Sequence, residues 1–596
     1  MAWYDEAVFY HIYPLGLAGA PKQNDYGEPV HRLNTLLPWV DHIKEIGGSA
    51  LYIGPLFESV GHGYETTDYK KLDSRLGTNE DLTAFVAYCH EQGIKVIFDG
   101  VFNHTGRDFF AFKDIQANRE NSHYKDWYCN VNFWGNNEYN DGFSYDNWGG
   151  YNLLVKLNQK NPAVVDYICD VIRFWVSEFD VDGIRLDAAD VLDFDFMKAL
   201  RRTANEVKPD FWLMGEVIHG DYSRWVNGET LHSVTNYTLH KALYSGHNDH
   251  NYFEIAHTVR RLQNMGTLKL YNFVDNHDVE RIYTKLTNKA HFAPVHVLLY
   301  TLPGVPSIYY GSEFGIEGRK EYGSDDSLRP ALNIEDYKDS VKTNPCTALI
   351  AALGKVRQAV PALSYGSYDE LMLTNRQFAY ARDLNGTRVI VSVNNDDAPA
   401  GMHLAAGNCT AYIGALSGEK VSVQDGHINI TQPANSGEIW VPEGTDLDVK
   451  PVKVVTKTDS EAKTNTEDKA ASETATDAKG NKEAEPKIES KGIVTATESA
   501  DAKKNTTDIE KNTTAANEVK DSAKDASAQA AADTPVGPET ITVDWSKSLE
   551  SMTVPELQAA ILAKLAGNGP VDAQMKKTVT DNIWHDSLVN WLKSFR

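Results

Sequence analysis

The first 362 residues predict an α/β fold, a (β/α)8 TIM barrel, with a long insertion after its third strand. A C-terminal antiparallel β-domain, a disordered linker and a short helical tail follow it. Three observations predict this. Short β-branched and aromatic runs alternate with amphipathic helical stretches, the mark of a parallel sheet covered by helices. The runs number eight and fill a length typical of a closed barrel. One connection, residues 105–155, is far too long for a helix and its turns, and long barrel insertions wall the mouth at the strands' C-terminal ends.

The strands are expected at VFYHIYP from Val8, SALYIGP from Ser49, KVIFDGVFNH from Lys95 and DGIRLDAA from Asp182. The second half carries FWLMGEV from Phe211, SVTNY from Ser233, KLYNFVDNHD from Lys269 and PSIYYGSE from Pro306. Residues 1–104 and 156–362 thus form the barrel. The insertion, 105–155, is rich in aromatics, Asn and Gly and poor in helical period, and its Trp127, Phe133, Trp134 and Trp148 are candidates to stack on sugar rings or to form its own core. From 363 to 445 the pattern changes to period-two strands such as QFAYARD, RVIVSVNND, CTAYIGAL and GEIWVP between Gly, Asn and Asp turns.

Residues 446–540 are built chiefly from Lys, Glu, Asp, Ala, Ser and Thr, and from 451 to 540 there is no aromatic, Leu or Met. Such a segment cannot bury enough apolar surface to offset chain entropy and reads as a disordered charged linker. Hydrophobicity returns in 541–596. Thr553 and Glu556 form a capping box ahead of Leu557, Ile561 and Leu565, and a second amphipathic stretch runs from Met575 to Phe595. Two helices this short are marginal alone, so the tail is expected to bind a protein partner or a second copy of the chain, the alternative being an autonomous hairpin.

Composition narrows the function. A net charge of -25 argues against nucleic acid and anionic membrane surfaces, because phosphate binding needs clustered Lys and Arg. The 5 cysteines are scattered and lack a CxxC pair, so neither a metal cluster nor a disulfide framework is expected. No apolar run is long enough to span a bilayer, and MAWYDEAVFYHIYP is not a signal peptide, so a cytoplasmic location is expected.

In DGIRLDAAD, alternation places Arg185 and Asp187 on one face of a buried strand, which is either a salt-bridged core or the floor of an active site. Reading the other strand ends together gives Tyr64, Asp99, Asn103, His104, Glu216, His277 and Asp278 at the same mouth. Opposed carboxylates are what glycosidic cleavage requires, one protonated to donate to the leaving oxygen and one ionised to attack or stabilise the anomeric carbon. Arg185 would keep Asp187 charged, and the apolar run FWLMG would raise the Glu216 pKa toward that of an acid. No nucleophile elbow, P-loop or dinucleotide fingerprint follows a strand.

The stretches DGVFNH (99–104), GIRLDAAD (183–190), GEV (215–217) and FVDNHD (273–278) resemble, in order, the four signature regions of glycoside hydrolase family 13, the α-amylase family. YHIYP, GYETTDY, GVPSIYYGSE and DDSLR add to the resemblance, which covers about residues 3–445. It implies a retaining hydrolase of α-1,4-glucosidic bonds in maltodextrins, with the insertion as domain B and the β-domain as domain C. Asp187 would be the nucleophile, Glu216 the acid/base and Asp278 the transition-state stabiliser. Tyr64, His104, Arg185, His277, Asp325 and Arg329 would bind or orient the sugar. No cofactor is required. Calcium is weakly implied, because a Lys-His pair common after the nucleophile is replaced by Asp190 and Val191. LLVKLNQKNP (153–162) resembles the neopullulanase, cyclomaltodextrinase and maltogenic amylase group, which usually carries an N-terminal β-domain, whereas here the first strand begins at Val8. Transglycosylation or a sucrose- or trehalose-type activity is the alternative within the family, and a non-catalytic sugar-binding scaffold the alternative outside it.

Overall fold

Eight parallel strands form the central sheet: β1 (Phe9–Ile12), β2 (Ala50–Ile53), β3 (Lys95–Gly100), β4 (Gly183–Leu186), β5 (Trp212–Gly215), β6 (Ser233–Val234), β7 (Tyr271–Asn272) and β8 (Val305–Tyr309). Each lies within or against a run expected to form it. The computed structural model describes residues 2–266, 268–321, 323–452 and 552–566, with residue 592 alone beyond them. Hydrogen bonding orders the strands β6-β5-β4-β3-β2-β1-β8-β7. A parallel bridge between Thr235 and Tyr271, with the Asn236 N–H donating to the Tyr271 carbonyl at 2.9 Å, joins the outer pair and closes the barrel.

Strand alternation sorts the side chains into two cores. Phe9, Ala50, Tyr52, Ile97, Trp212, Met214 and Val305 fill the barrel interior. Tyr10, Ile12, Leu51, Ile53, Ile184 and Leu186 belong to the larger core, which also takes in the surrounding helices. Local sequence sets the helix starts. Thr78 and Asp81 build a reciprocal cap on the helix Asn79–Glu91, and Asn161 caps the helix Pro162–Phe179, whose Pro162 sits in the first turn where no N–H is needed.

Register then fixes what reaches the mouth. Asp99 lies opposite Arg185, and Arg185 opposite Met214. Two residues on, one layer nearer the C-terminal end, come Asp187 and Glu216. The ladder continues to them, because the Asp187 N–H donates to the Gly100 carbonyl at 3.1 Å and the Glu216 N–H to the Leu186 carbonyl at 2.9 Å.

The insertion is built on a three-stranded antiparallel sheet of His104–Thr105, Asn147–Trp148 and Tyr151–Lys156. It also holds a helix, Phe110–Asn118, where the sequence showed little helical period. Three apolar side chains suffice there: Ala111, Phe112 and Ile115 are fully buried, Phe112 edge-on to Tyr128 and Tyr145. Beyond the barrel, Ser367–Leu373, Gln377–Leu384, Thr387–Asn394, Ser436–Pro442, Ala411–Gly414 and Lys420–Ser422 make one antiparallel sheet, and Ala400–Ala405 pairs with His427–Gln432. Ile390, Leu404, Tyr412, Ile428 and Trp440 pack between them.

The Val452 N–H donates to the Leu416 carbonyl at 2.9 Å. The remainder of the expected linker, 453–540, lies outside the described residues, as does the second amphipathic stretch of the tail except for Leu592. The first tail helix is present as Val554–Ala566. Its cap has the expected form, the Thr553 N–H donating to Glu556 Oε2 at 2.7 Å. Among the described residues no helix is long and apolar enough to cross a membrane.

Candidate active site

A cavity of about 650 Å³ opens at the C-terminal ends of the barrel strands. Asp187, Glu216, Asp278, Tyr64, His104, Asp325 and Arg329 line it, as the sequence predicts. Arg185 and His277 lie directly beneath, 3% and 2% exposed, and are bonded to the lining carboxylates.

Arg185 organises the floor. One terminal nitrogen donates to Asp99 Oδ1 at 2.8 Å and to Asp187 Oδ1 at 2.9 Å, and the other contacts Glu216 Oε2 at 2.8 Å. One guanidinium therefore serves three carboxylates, and the charges do not balance. Burial raises the Asp187 pKa well above the usual carboxylate range; Arg185 opposes this, while Glu216, Asp99 and Asp278 add to it. The attraction of Arg185 has the sign that the sequence predicts, and desolvation and the other carboxylates oppose it.

Asp278 has the opposite environment. Burial disfavours its charge, but His277, whose Nε2 is 3.0 Å from Oδ2, and Arg329, 2.8 Å from Oδ1, hold it well below the usual range. Arg329 also donates to Asp325 Oδ2 at 2.9 Å and to the His277 carbonyl at 3.0 Å, so it clamps three predicted positions together. Lys320 contacts the other Asp325 oxygen at 2.5 Å. Burial pulls the His104 pKa down to about 4, so its ring is neutral near pH 7. Asn103 Nδ2 lies 3.3 Å from Nδ1 and the Tyr64 carbonyl 3.1 Å from Nε2, which places the ring proton on Nε2. Tyr64 stacks on His277 with planes 10° apart and hydrogen-bonds its Nε2.

Of the aromatic candidates in the insertion, only Trp148 reaches this cavity, beside Tyr151. Trp127 packs against Phe110, Tyr124 and Tyr167, and Phe133 against Phe143. Trp134 is 98% exposed on another face. Composition could nominate these rings but could not aim them.

Two further positions that contact Glu216 escaped the sequence reading. Tyr237, the last residue of SVTNY, donates to Glu216 Oε1 at 3.4 Å and accepts from Asn276 Nδ2 at 3.2 Å. The strand-end rule, applied to β6 as to the others, finds it. Ala188 adopts a left-handed conformation, φ 46°, which aims its N–H at Glu216 Oε2, 3.1 Å away. A non-glycine residue held there stores strain of about 1 kcal/mol, and nothing in the residue type announces it. Among the described residues no group of three or more His, Cys, Asp or Glu is placed to hold a metal ion.

Acidic side chains from neighbouring strands, gathered at the C-terminal mouth of a (β/α)8 barrel with a cation beneath and a neutral imidazole beside them, define a glycoside hydrolase. Comparison with known proteins makes the class specific. Residues 31–355 match the catalytic domain of alpha amylase. A cyclomaltodextrinase of Bacillus sp is 31% identical over 422 residues, 67% of this chain and 74% of that protein. Neopullulanase 2 of Thermoactinomyces vulgaris is 29% identical over 473 residues, 74% and 78%. A solved cyclomaltodextrinase structure superposes with a TM-score of 0.66 at 26% identity, covering 74% of this chain and 78% of its own. The chain belongs to the α-amylase family of glycoside hydrolases, within reach of its cyclomaltodextrinase, neopullulanase and maltogenic amylase group.

Proposed function

We propose that the protein is a retaining hydrolase of α-1,4-glucosidic bonds in maltodextrins and related cyclic glucans. The observation that carries this is the pair Asp187 and Glu216 on adjacent strand ends, bonded to the two terminal nitrogens of one guanidinium. Two carboxylates gathered on one cation and lining one cavity are suited to act as nucleophile and acid/base on a single glycosidic bond.

Asp187 attacks the anomeric carbon as Glu216 protonates the departing glycosidic oxygen. The ester on Asp187 is then opened by a water that gives its proton back to Glu216. Asp278, kept ionised by Arg329 and His277, accepts hydroxyls of the distorted ring, and neutral His104 donates from Nε2. Names of relatives support the substrate class: cyclomaltodextrinase, maltogenic alpha-amylase and neopullulanase.

Incubation with maltoheptaose, cyclodextrin, pullulan, sucrose and trehalose, with proton NMR of the first product anomer, tests both parts. Maltoheptaose or cyclodextrin yielding α-anomers first is expected. β-Anomers first would overturn the retaining mechanism, and products from sucrose or trehalose alone would overturn the substrate. A sugar hydroxyl competes with water for the same ester, and the apolar rim of Val191, Ile218 and Val279 favours such an acceptor, which makes transglycosylation the second reading. A cytoplasmic location is supported by five scattered cysteines that lack a CxxC pair and by similarity to an intracellular maltogenic amylase of Bacillus subtilis. We assign the tail to docking on a protein partner or a second copy, supported by the four-residue apolar spacing in Val554–Ala566. Light scattering of a chain truncated after residue 450 tests it, and an unchanged number of chains per particle would rule out self-association through the tail.

A further inference from the structure

Trp134 is 98% exposed, an unusual position for the largest apolar side chain. It does not sit on a slack loop. Asn132 and Ser144 exchange two backbone hydrogen bonds, at 2.8 and 2.9 Å, and the Gly135 N–H closes a tight turn onto the Asn132 carbonyl at 3.1 Å. Asn132 Oδ1 accepts from the Trp134 N–H at 3.0 Å. At Gly135 a Cβ would fall 2.4 Å from Ser144 Oγ, so the turn packs against its neighbour without room for a side chain. The indole is thus presented from a fixed scaffold, and presenting it forgoes the burial energy a tryptophan ordinarily contributes, about 2 kcal/mol or more.

Beside the indole opens a surface cavity of about 650 Å³, separate in its lining from the catalytic one. Its wall carries amides and a hydroxyl from Asn130, Asn132 and Ser144 and carboxylates from Glu120 and Asp146, with no Lys or Arg among the lining residues. Asn130 Nδ2 donates to Asp146 Oδ2 at 2.8 Å, which orients both groups at the rim. An aromatic plate flanked by amides and carboxylates, without a cation, suits a neutral polyol: ring C–H faces stack on the indole while hydroxyls donate to the acids. Phosphorylated or other anionic ligands are disfavoured by the same lining. The segment joins the two cavities, since Ser144 to Asp146 line this one while Trp148 and Tyr151 line the catalytic one.

We propose that Trp134 and this cavity form a second carbohydrate-binding site, which holds an α-glucan chain outside the catalytic cavity and favours long substrates over short ones. The choice of α-glucan as the polyol rests on the proposed function; the site itself rests on the cavity and the indole. With so few contacts to lose, Trp134→Ala folds as the parent does. In native gels containing soluble starch or glycogen, the full chain is retarded, Trp134→Ala loses most of the retardation, and Trp134→Phe restores part of it. In kinetics, kcat/KM for soluble starch falls roughly tenfold while that for maltotriose is unchanged. Equal retardation of parent and Trp134→Ala, or equal loss on both substrates, overturns the site. A chain that cleaves no α-glucan yet shows Trp134-dependent retardation overturns the proposed function and leaves the site standing. Trp134-dependent binding of a protein, with no retardation by glucan, assigns the indole to a protein interface and overturns the carbohydrate site.

Discussion

Replacing Arg185 by Lys keeps the positive charge and removes the fork. The guanidinium makes contacts of 2.8, 2.9 and 2.8 Å to Asp99, Asp187 and Glu216, and a single ammonium on a shorter stem cannot satisfy all three. Each hydrogen bond to a charged group contributes about 1.5–3 kcal/mol, so losing two costs roughly 3–6 kcal/mol, shared between stability and transition-state binding. Arg185 lowers the Asp187 pKa against burial, so moving the cation away lets that pKa rise further. The nucleophile must be ionised, and the acid limb of kcat/KM therefore moves to higher pH, by about one unit or more, equivalent to about 1.4 kcal/mol. Plateau kcat/KM is expected to fall on the order of 10²- to 10³-fold. The assay is kcat/KM for maltoheptaose from pH 4 to 9, with urea unfolding to show that the variant is folded. A folded Arg185→Lys protein whose profile superimposes on the parent would refute the reasoning, because the guanidinium would then not be setting the charge of the carboxylates around it.

Asp187→Asn is expected to lower kcat by about four orders of magnitude or more with the far-UV circular dichroism unchanged, and residual turnover near the parent level would remove Asp187 from the mechanism. Arg329→Ala leaves Asp278 and Asp325 without the cation now 2.8 and 2.9 Å from them. A loss of about 2–3 kcal/mol in transition-state binding is expected, read as roughly 10²-fold in kcat/KM. Burial holds His247 at a pKa of about 3 and His291 and His296 at about 4, below the ordinary 6.5. Their neutral forms stabilise the fold fully above about pH 6.5, and each contribution erodes as pH falls from there toward the folded value, by on the order of 2 kcal/mol per histidine at pH 5. Urea unfolding at pH 7 and pH 5 measures this, and His296→Leu should flatten the slope; an unaltered slope would show that His296 is not titrating on unfolding.

How much of this was written in the sequence differs between strand and insertion. Period-two alternation is a covalent property of extended chain, so GIRLD alone puts Arg185 and Asp187 on one face, and the barrel's single active end turns that face toward one mouth. Eight runs of the right kind therefore led to nine site residues that gather at one place. Insertion residues have no comparable rule. The helix Phe110–Asn118 rests on three buried side chains, and the four candidate rings of the insertion divide among a cavity wall, two internal contacts and an exposed tip, according to turns whose geometry depends on tertiary neighbours.

By itself the sequence determined the order of the strands, the residues at their ends and hence the chemistry those residues can perform, because each follows from local periodicity and side-chain type. Only the tertiary structure decided which charges meet at the floor. Whether Arg185 outweighs burial depends on how many carboxylates share it, and that number, three, comes from register between β3, β4 and β5. It likewise decided that the Ala188 N–H faces Glu216 and that Trp134 faces water, since these are distances across the chain and no local pattern encodes them.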